Sequence, residues 1–288
     1  MKYPRLLVAV ALLFVAGCVT TAPFAVPELS ENRQEITALD FDQVQISHVF
    51  DVINDQKVGA NLHKVSYRLT VGNYTVLEGE NEPALELGAN EPGTLELPMD
   101  LRFDTLRARI GEFPDRATLP YELRAVTMAH SVTEGFDPPE ATTDTLTFAG
   151  EFPILTRPRL FVDTLMIKSF NLAIAELEMR VRLVNPNAVP VTFNTGSYAL
   201  QVNGVTWHNQ SVNQLITIPP TSDIVLDTPF SMRPREFDTQ VYRMLNMEQE
   251  FEYTVTGNFD IRADSPWFSG TYNWEFNRTG SHQFPRLN

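Results

Sequence analysis

From Glu176 to Leu183 apolar and polar residues alternate without a fault, with Leu177, Met179, Val181 and Leu183 on one side and Glu176, Glu178, Arg180 and Arg182 on the other. Successive side chains of a strand point to opposite faces, so this run predicts a strand with one buried and one wet face. Asn185-Pro186-Asn187 ends it: the residue before a proline is pushed to extended geometry, Pro186 fixes φ, and asparagine side chains bond to nearby backbone in turns. Tyr198, Leu200 and Val202 predict the next strand, Asn203-Gly204 a tight hairpin turn, and Val205 to Trp207 a third strand. Two more extended runs, Leu215 to Ile218 and Ile224 to Phe230, are separated by Pro219, Pro220, Thr221 and Ser222. The period then changes, because Phe237, Val241, Met244 and Leu245 fall on one face of an amphipathic helix entered just after Pro234. Phe251, Tyr253 and Val255, then Tyr272, Trp274 and Phe276, return to period two as closing strands.

The same pattern occurs earlier in the chain. At an offset of 131 residues, Ile46, Phe50 and Val52 fall on Leu177, Val181 and Leu183, and Asn54, Tyr67, Leu69 and Val71 fall on Asn185, Tyr198, Leu200 and Val202. Further on, Leu95, Met99 and Leu101 meet Leu226, Phe230 and Met232, while Leu106, Ile110 and Phe113 meet the helical positions Phe237, Val241 and Met244. Alternation, turns and a helix repeated at one constant offset mean duplication. Short strands with turns at regular spacing predict two tandem antiparallel β-sandwich domains of the immunoglobulin or fibronectin-III kind, each of about seven strands with one short helix. A parallel α/β fold would need repeated strand-helix alternation, which is missing.

The chain opens MKYPRLLVAVALLFVAGC. Lys2 and Arg5 precede an apolar run too short to span a bilayer, and small residues lead directly to Cys18, the sole cysteine. This is the expected pattern of a lipoprotein signal peptide, residues 1–17, followed by an acylated Cys18. Val19 in place of an aspartate directs the expectation to the outer membrane, on its periplasmic side. Residues 18–38, rich in Thr, Pro and Ser and lacking periodicity, read as a lipidated tether. The first domain then covers 39–155, the second 156–280, and 281–288 form a tail. The break falls near Pro153 to Pro158, where the alternation is interrupted.

Composition narrows the function classes. Removing Lys2 and Arg5 from the 22 basic residues leaves 20 against 36 acidic ones, a net charge of −16. Nucleic acid and anionic headgroups are therefore poor partners. Hydrophobic content of 43% is enough for packed cores. With one cysteine, no disulfide forms within the chain.

The strand ending in Val184-Asn185-Pro186-Asn187, the run Tyr198-Ala199-Leu200-Gln201-Val202-Asn203-Gly204 and the Thr217-Ile218-Pro219 segment resemble the late embryogenesis abundant type 2 family. It is also called the water-stress and hypersensitive-response (WHy) domain. The resemblance implies a β-sandwich with one helix and a role in stress protection, and bacterial members are often lipoproteins. The first copy departs from it, with Asn54-Asp55-Gln56 for Asn-Pro-Asn and Gly72-Asn73 for Asn-Gly. Both changes keep turn-forming residues, so the fold is expected to survive there.

No catalytic constellation can be named, and no enzyme is expected. His48, His63, His130, His208 and His282 stand at no zinc-ligand spacing, so no metal or other cofactor is expected. Glu78, Glu80 and Glu82 form an acidic strip that reads as a solvated loop, because calcium needs a shaped ring of six to eight oxygens. Trp207, Trp267 and Trp274 read as core or surface cover, and Asn185, Pro186, Asn187, Asn203 and Gly204 as structural turns. Three functions fit. The first is a monomeric, non-enzymatic protectant anchored to a membrane through the acyl chains on Cys18, acting on client proteins in desiccation or osmotic stress. The second is a module holding a lipid or other apolar ligand in a groove beside the helix, at Phe237, Val241 and Met244. The third is a scaffold in an envelope complex.

Overall fold

In the computed structural model the alternating run becomes β10 (Ala175–Asn185), the middle of a three-stranded antiparallel sheet between β9 (Arg159–Phe170) and β14 (Ser222–Met232). The structure describes residues 24–114, 116–132, 141–171, 173–233, 241, 244–245 and 250–284. Against this sheet packs a second one, ordered β12 (Val205–Val212), β11 (Val191–Val202), β15 (Glu250–Ala263) and β16 (Tyr272–Gln283), with β13 (Ile216–Ile218) also paired to β11. Leu177, Met179, Val181 and Leu183 are buried between the sheets. On the wet face Arg180 pairs with Asp227, Arg182 with Asp163 and Lys168 with Glu178.

The first copy has the same plan. β1 (Glu28–Leu39), β2 (Gln43–Ile53) and β6 (Pro92–Arg102) make the three-stranded sheet. β4 (Tyr74–Asn81), β3 (Gly59–Val71), β7 (Thr118–Val132) and β8 (Thr142–Pro153) make the other, with β5 (Leu85–Leu87) paired to β3. The helix α1 (Phe103–Ile110) buries Phe103 and Leu106. Among the described residues each copy thus has eight strands, one more than the alternation predicts. Pro98 and Pro229 occupy the same place on β6 and β14, both edge strands, where a missing N–H costs no ladder bond.

The extra strand corrects the sequence reading in one respect. Residues 28–38 do not belong to a tether but form most of β1, antiparallel to β2. Two register shifts, between Glu31 and Arg33 and between Ile36 and Ala38, break its alternation, so period-two analysis misses it. β9 carries the same two shifts, skipping residues 163 and 168, each 131 positions after its counterpart. The duplication therefore includes the irregularities. The tail is corrected too: residues 281–283 continue β16 against β15, and Phe284 is 1% exposed. The acidic strip is no loop either, since Glu78 and Glu80 lie on β4 and pair with Arg68 and Lys64 of β3.

The two sandwiches join end to end. Phe41, in the turn between β1 and β2, packs edge-on to Phe268 at 5.5 Å and against Tyr272 at 5.3 Å. Asp42 beside it accepts a hydrogen bond from the Tyr272 hydroxyl at 3.0 Å and from Nε of the linker residue Arg157 at 3.1 Å. Burial, then the adjacent Asp42 carboxylate, push the Tyr272 phenol from 10.0 up to about 12. A raised phenol keeps its proton in the folded chain after the unfolded chain has lost it, so this contribution to stability is whole below about pH 10 and is lost as pH rises through about 12. Denaturant unfolding above about pH 9 is expected to show stability falling more steeply in the native chain than in Tyr272→Phe. The raised phenols of Tyr67, Tyr198 and Tyr253 contribute equally to both. Identical slopes would mean that Tyr272 does not meet Asp42 in solution.

Candidate functional site

Two features stand out: a buried carboxamide frame at one end of each sandwich, and an apolar cavity inside the second. The frame starts where the chain leaves one sheet for the other. Between β10 and β11, and again between β13 and β14, the backbone crosses from one sheet to the other at the edge of the core. Asn185 is fully buried there, and its Nδ2 is shared among the carbonyls of Val189 (2.8 Å), Pro219 (2.9 Å) and Ile218 (3.2 Å). Its Oδ1 accepts from the backbone N–H of Asn187 at 3.0 Å and from the Asn187 side chain at 2.9 Å. One side chain thus ties both crossings together. Asn54 does the same in the first copy, bonding the carbonyls of Val58 and Gly88 at 2.9 and 2.8 Å.

Asn203 and Gly204 sit in left-handed geometry at φ 47° and 78°, as the hairpin requires. Asn203 also reaches out of its turn, accepting from the Glu252 N–H at 3.0 Å and donating to Sδ of Met244 at 3.1 Å. Val241, Met244 and Leu245 are helical and buried in the core. Phe237 and Cys18 lie outside the described residues.

The cavity, about 290 Å³, lies between the two sheets of the second sandwich and away from the buried helical residues. Met179, Val181, Leu183, Phe193, Val255 and Phe259 line its interior. Its mouth opens between the edge strands β12 and β14 at Gln210, Gln214, Asp227 and Thr228. Tyr198 donates to Gln210 Oε1 at 3.1 Å there, and burial pushes its phenol up. At two of the matching places the first copy has bulkier residues: Phe50 stands for Val181 and Leu97 for Thr228, each 1% exposed. Phe50 also packs on Phe148 at 4.9 Å.

One histidine pair escapes sequence spacing. His63 on β3 and His130 on β7 are 67 residues apart, yet their Nδ1 atoms lie 3.2 Å from each other. His63 is the residue skipped by the register shift between Leu62 and Lys64, so the β3–β7 pairing and this bulge together bring the two rings to one place, and sequence spacing could not have foretold it. No group of three or more metal-binding side chains exists among the described residues. No helix among them is long and apolar enough to cross a membrane.

Replacing Asn185 by Ala leaves buried carbonyls and the Asn187 N–H without their partner, and should cost about 3 kcal/mol. Equilibrium unfolding in urea measures this, and a loss below about 1 kcal/mol would remove Asn185 from its structural role.

Residues 180–275 match the family model described as "Late embryogenesis abundant protein". No curated protein matches the chain. Solved structures similar to it include red sea bream transglutaminase, at 11% identity and a TM-score of 0.29 over 92% of this chain and 32% of that one. This chain therefore spans about a third of the transglutaminase's length. A protein from Archaeoglobus fulgidus aligns at 19% identity and a TM-score of 0.29, over 45% of this chain and all of that one. A cross-linked bacterial adhesin from Mobiluncus mulieris aligns at 8% identity and 0.28, over 81% of each. Likeness at this level carries nothing about activity. Its sandwich plan, its Asn185-Pro186-Asn187 crossing and the match over residues 180–275 make the second sandwich similar to the late embryogenesis abundant type 2 family.

Proposed function

We propose that the chain is a non-enzymatic stress protein of the cell envelope, anchored through acyl chains on Cys18, that protects neighbouring macromolecules during desiccation or osmotic stress. The observation that carries the reading is the family match over the second sandwich. The excess of acidic residues, 36 against 22 basic ones, is compatible with it, since a strongly charged surface keeps crowded proteins apart as water is withdrawn. Drying a labile enzyme with the purified chain should preserve more activity than drying it with an equally acidic control protein. Equal losses would remove the reading's main support.

The cavity between the sheets favours a second reading, in which the second sandwich holds an apolar ligand such as an acyl chain. Apolar walls with a few polar groups at the mouth are what such a ligand needs. Native mass spectrometry of the chain purified from its host should then show an apolar species released on unfolding. The double substitution Val181→Phe and Thr228→Leu, which copies the packing of Phe50 and Leu97, should abolish that species while the chain stays folded. A native chain free of ligand would contradict this reading.

A further inference from the structure

The residue two places after the buried asparagine grips incoming backbone in both copies. Asn187 donates through Nδ2 to the Thr156 carbonyl at 2.8 Å and accepts at Oδ1 from the Thr156 N–H at 2.6 Å. Gln56 does the same to Ala25, donating at 2.5 Å and accepting at 3.1 Å. Each gripped residue lies three positions before the first strand of its sandwich. In the second copy the gripped chain is the linker, and this end faces the first sandwich across a cleft lined by Val184 and Asn185 to Asn187 on one side and Phe113 and Ile154 on the other. In the first copy the gripped chain is the segment arriving from Cys18, and among the described residues no second sandwich covers the equivalent end. Ile53, Val58 and Val132 are exposed there, at 46%, 40% and 48%, whereas Val184 and Val189, the counterparts of the first two, are only partly exposed.

We propose that this end of the first sandwich is a docking face for the bilayer that holds Cys18, an inference that rests on the anchored reading above. Ala25 is the seventh residue after Cys18, and a chain of that length reaches at most about 25 Å. The twelve-residue β1 alone extends about 40 Å, so the attachment is shorter than the sandwich it carries. Phe24 and Val26, flanking the gripped Ala25, pack on the core and keep the entry point fixed. The membrane is therefore the surface nearest to Ile53, Val58 and Val132. Exposed Glu28, Asp51, Asp55 and Glu91 surround them with Lys57, so the face suits a neutral, zwitterionic interface better than an anionic one.

The test uses the full-length acylated protein in phosphatidylcholine vesicles carrying headgroup-nitroxide lipid. Acylation consumes the sole native thiol, so a fluorophore on Val58→Cys or on Val205→Cys is unique. Val205 follows the Asn203-Gly204 turn at the opposite end of the second sandwich and is 45% exposed. The proposal expects quenching of the Val58→Cys label several-fold stronger than of the Val205→Cys label. Equal quenching at both sites, or a Val58→Cys label that escapes the lipid quencher, would overturn it. Intact mass separates the two levels: a chain without acyl groups on Cys18 refutes the anchored reading and this inference with it, whereas an acylated, vesicle-bound chain with an unquenched Val58→Cys label refutes this inference alone.

Discussion

A β-sandwich must carry its chain from one sheet to the other, and every crossing strips backbone carbonyls of their ladder partners at the edge of an apolar core. Buried carbonyls left unbonded cost about 1–3 kcal/mol each, so the crossing needs a donor from elsewhere. Here that donor is a carboxamide, Asn54 in one copy and Asn185 in the other, both with no exposed surface. Placing it fixes two crossings at once, because its partners come from the turn that follows it and from the segment more than thirty residues later. The register of β10 against β14 and of β11 against β13 meets at this point. The grip on Thr156 extends the same bonding to the linker, so the frame that closes a sandwich also orients the chain entering it.

Much of this was legible in the sequence because the physics is local. The alternation of β10 reflects one wet face, and the positive φ of Asn203 and Gly204 is what a two-residue turn demands. The duplication was legible because core positions recur at one offset. What escaped depends on long-range pairing. β1 and β9 hide behind bulges, and the end of β16 is an edge strand whose residues 277 to 281 are polar or lack a side chain. His63 and His130 meet only through the pairing of β3 with β7 and the bulge at His63. The family motif could be read as a turn, but its second carboxamide reaches 31 residues back to Thr156, and spacing does not reveal that partner.

The copies share a frame and differ in filling. Phe50 and Leu97 occupy the first core where Val181 and Thr228 leave room in the second, while Leu62 and Thr127 give way to the larger Phe193 and Phe259, so the cavity follows a redistribution of side-chain volume. Within Asn54-Asp55-Gln56 the buried donor and the gripping carboxamide survive while the proline is lost, so the first copy retains the bonds that hold the fold. Duplication kept the architecture in both sandwiches and left a cavity where the family motif is intact.

The dependence of both sandwiches on a buried carboxamide is tested most directly by hydrogen exchange of the Nδ2 protons of Asn54 and Asn185, followed by NMR. These protons are expected to exchange only when a sandwich opens as a whole, at the rate of the core amides of β3 and β10. Exchange as fast as that of an exposed asparagine such as Asn90 would contradict the account, because neither side chain would then be holding the crossings shut.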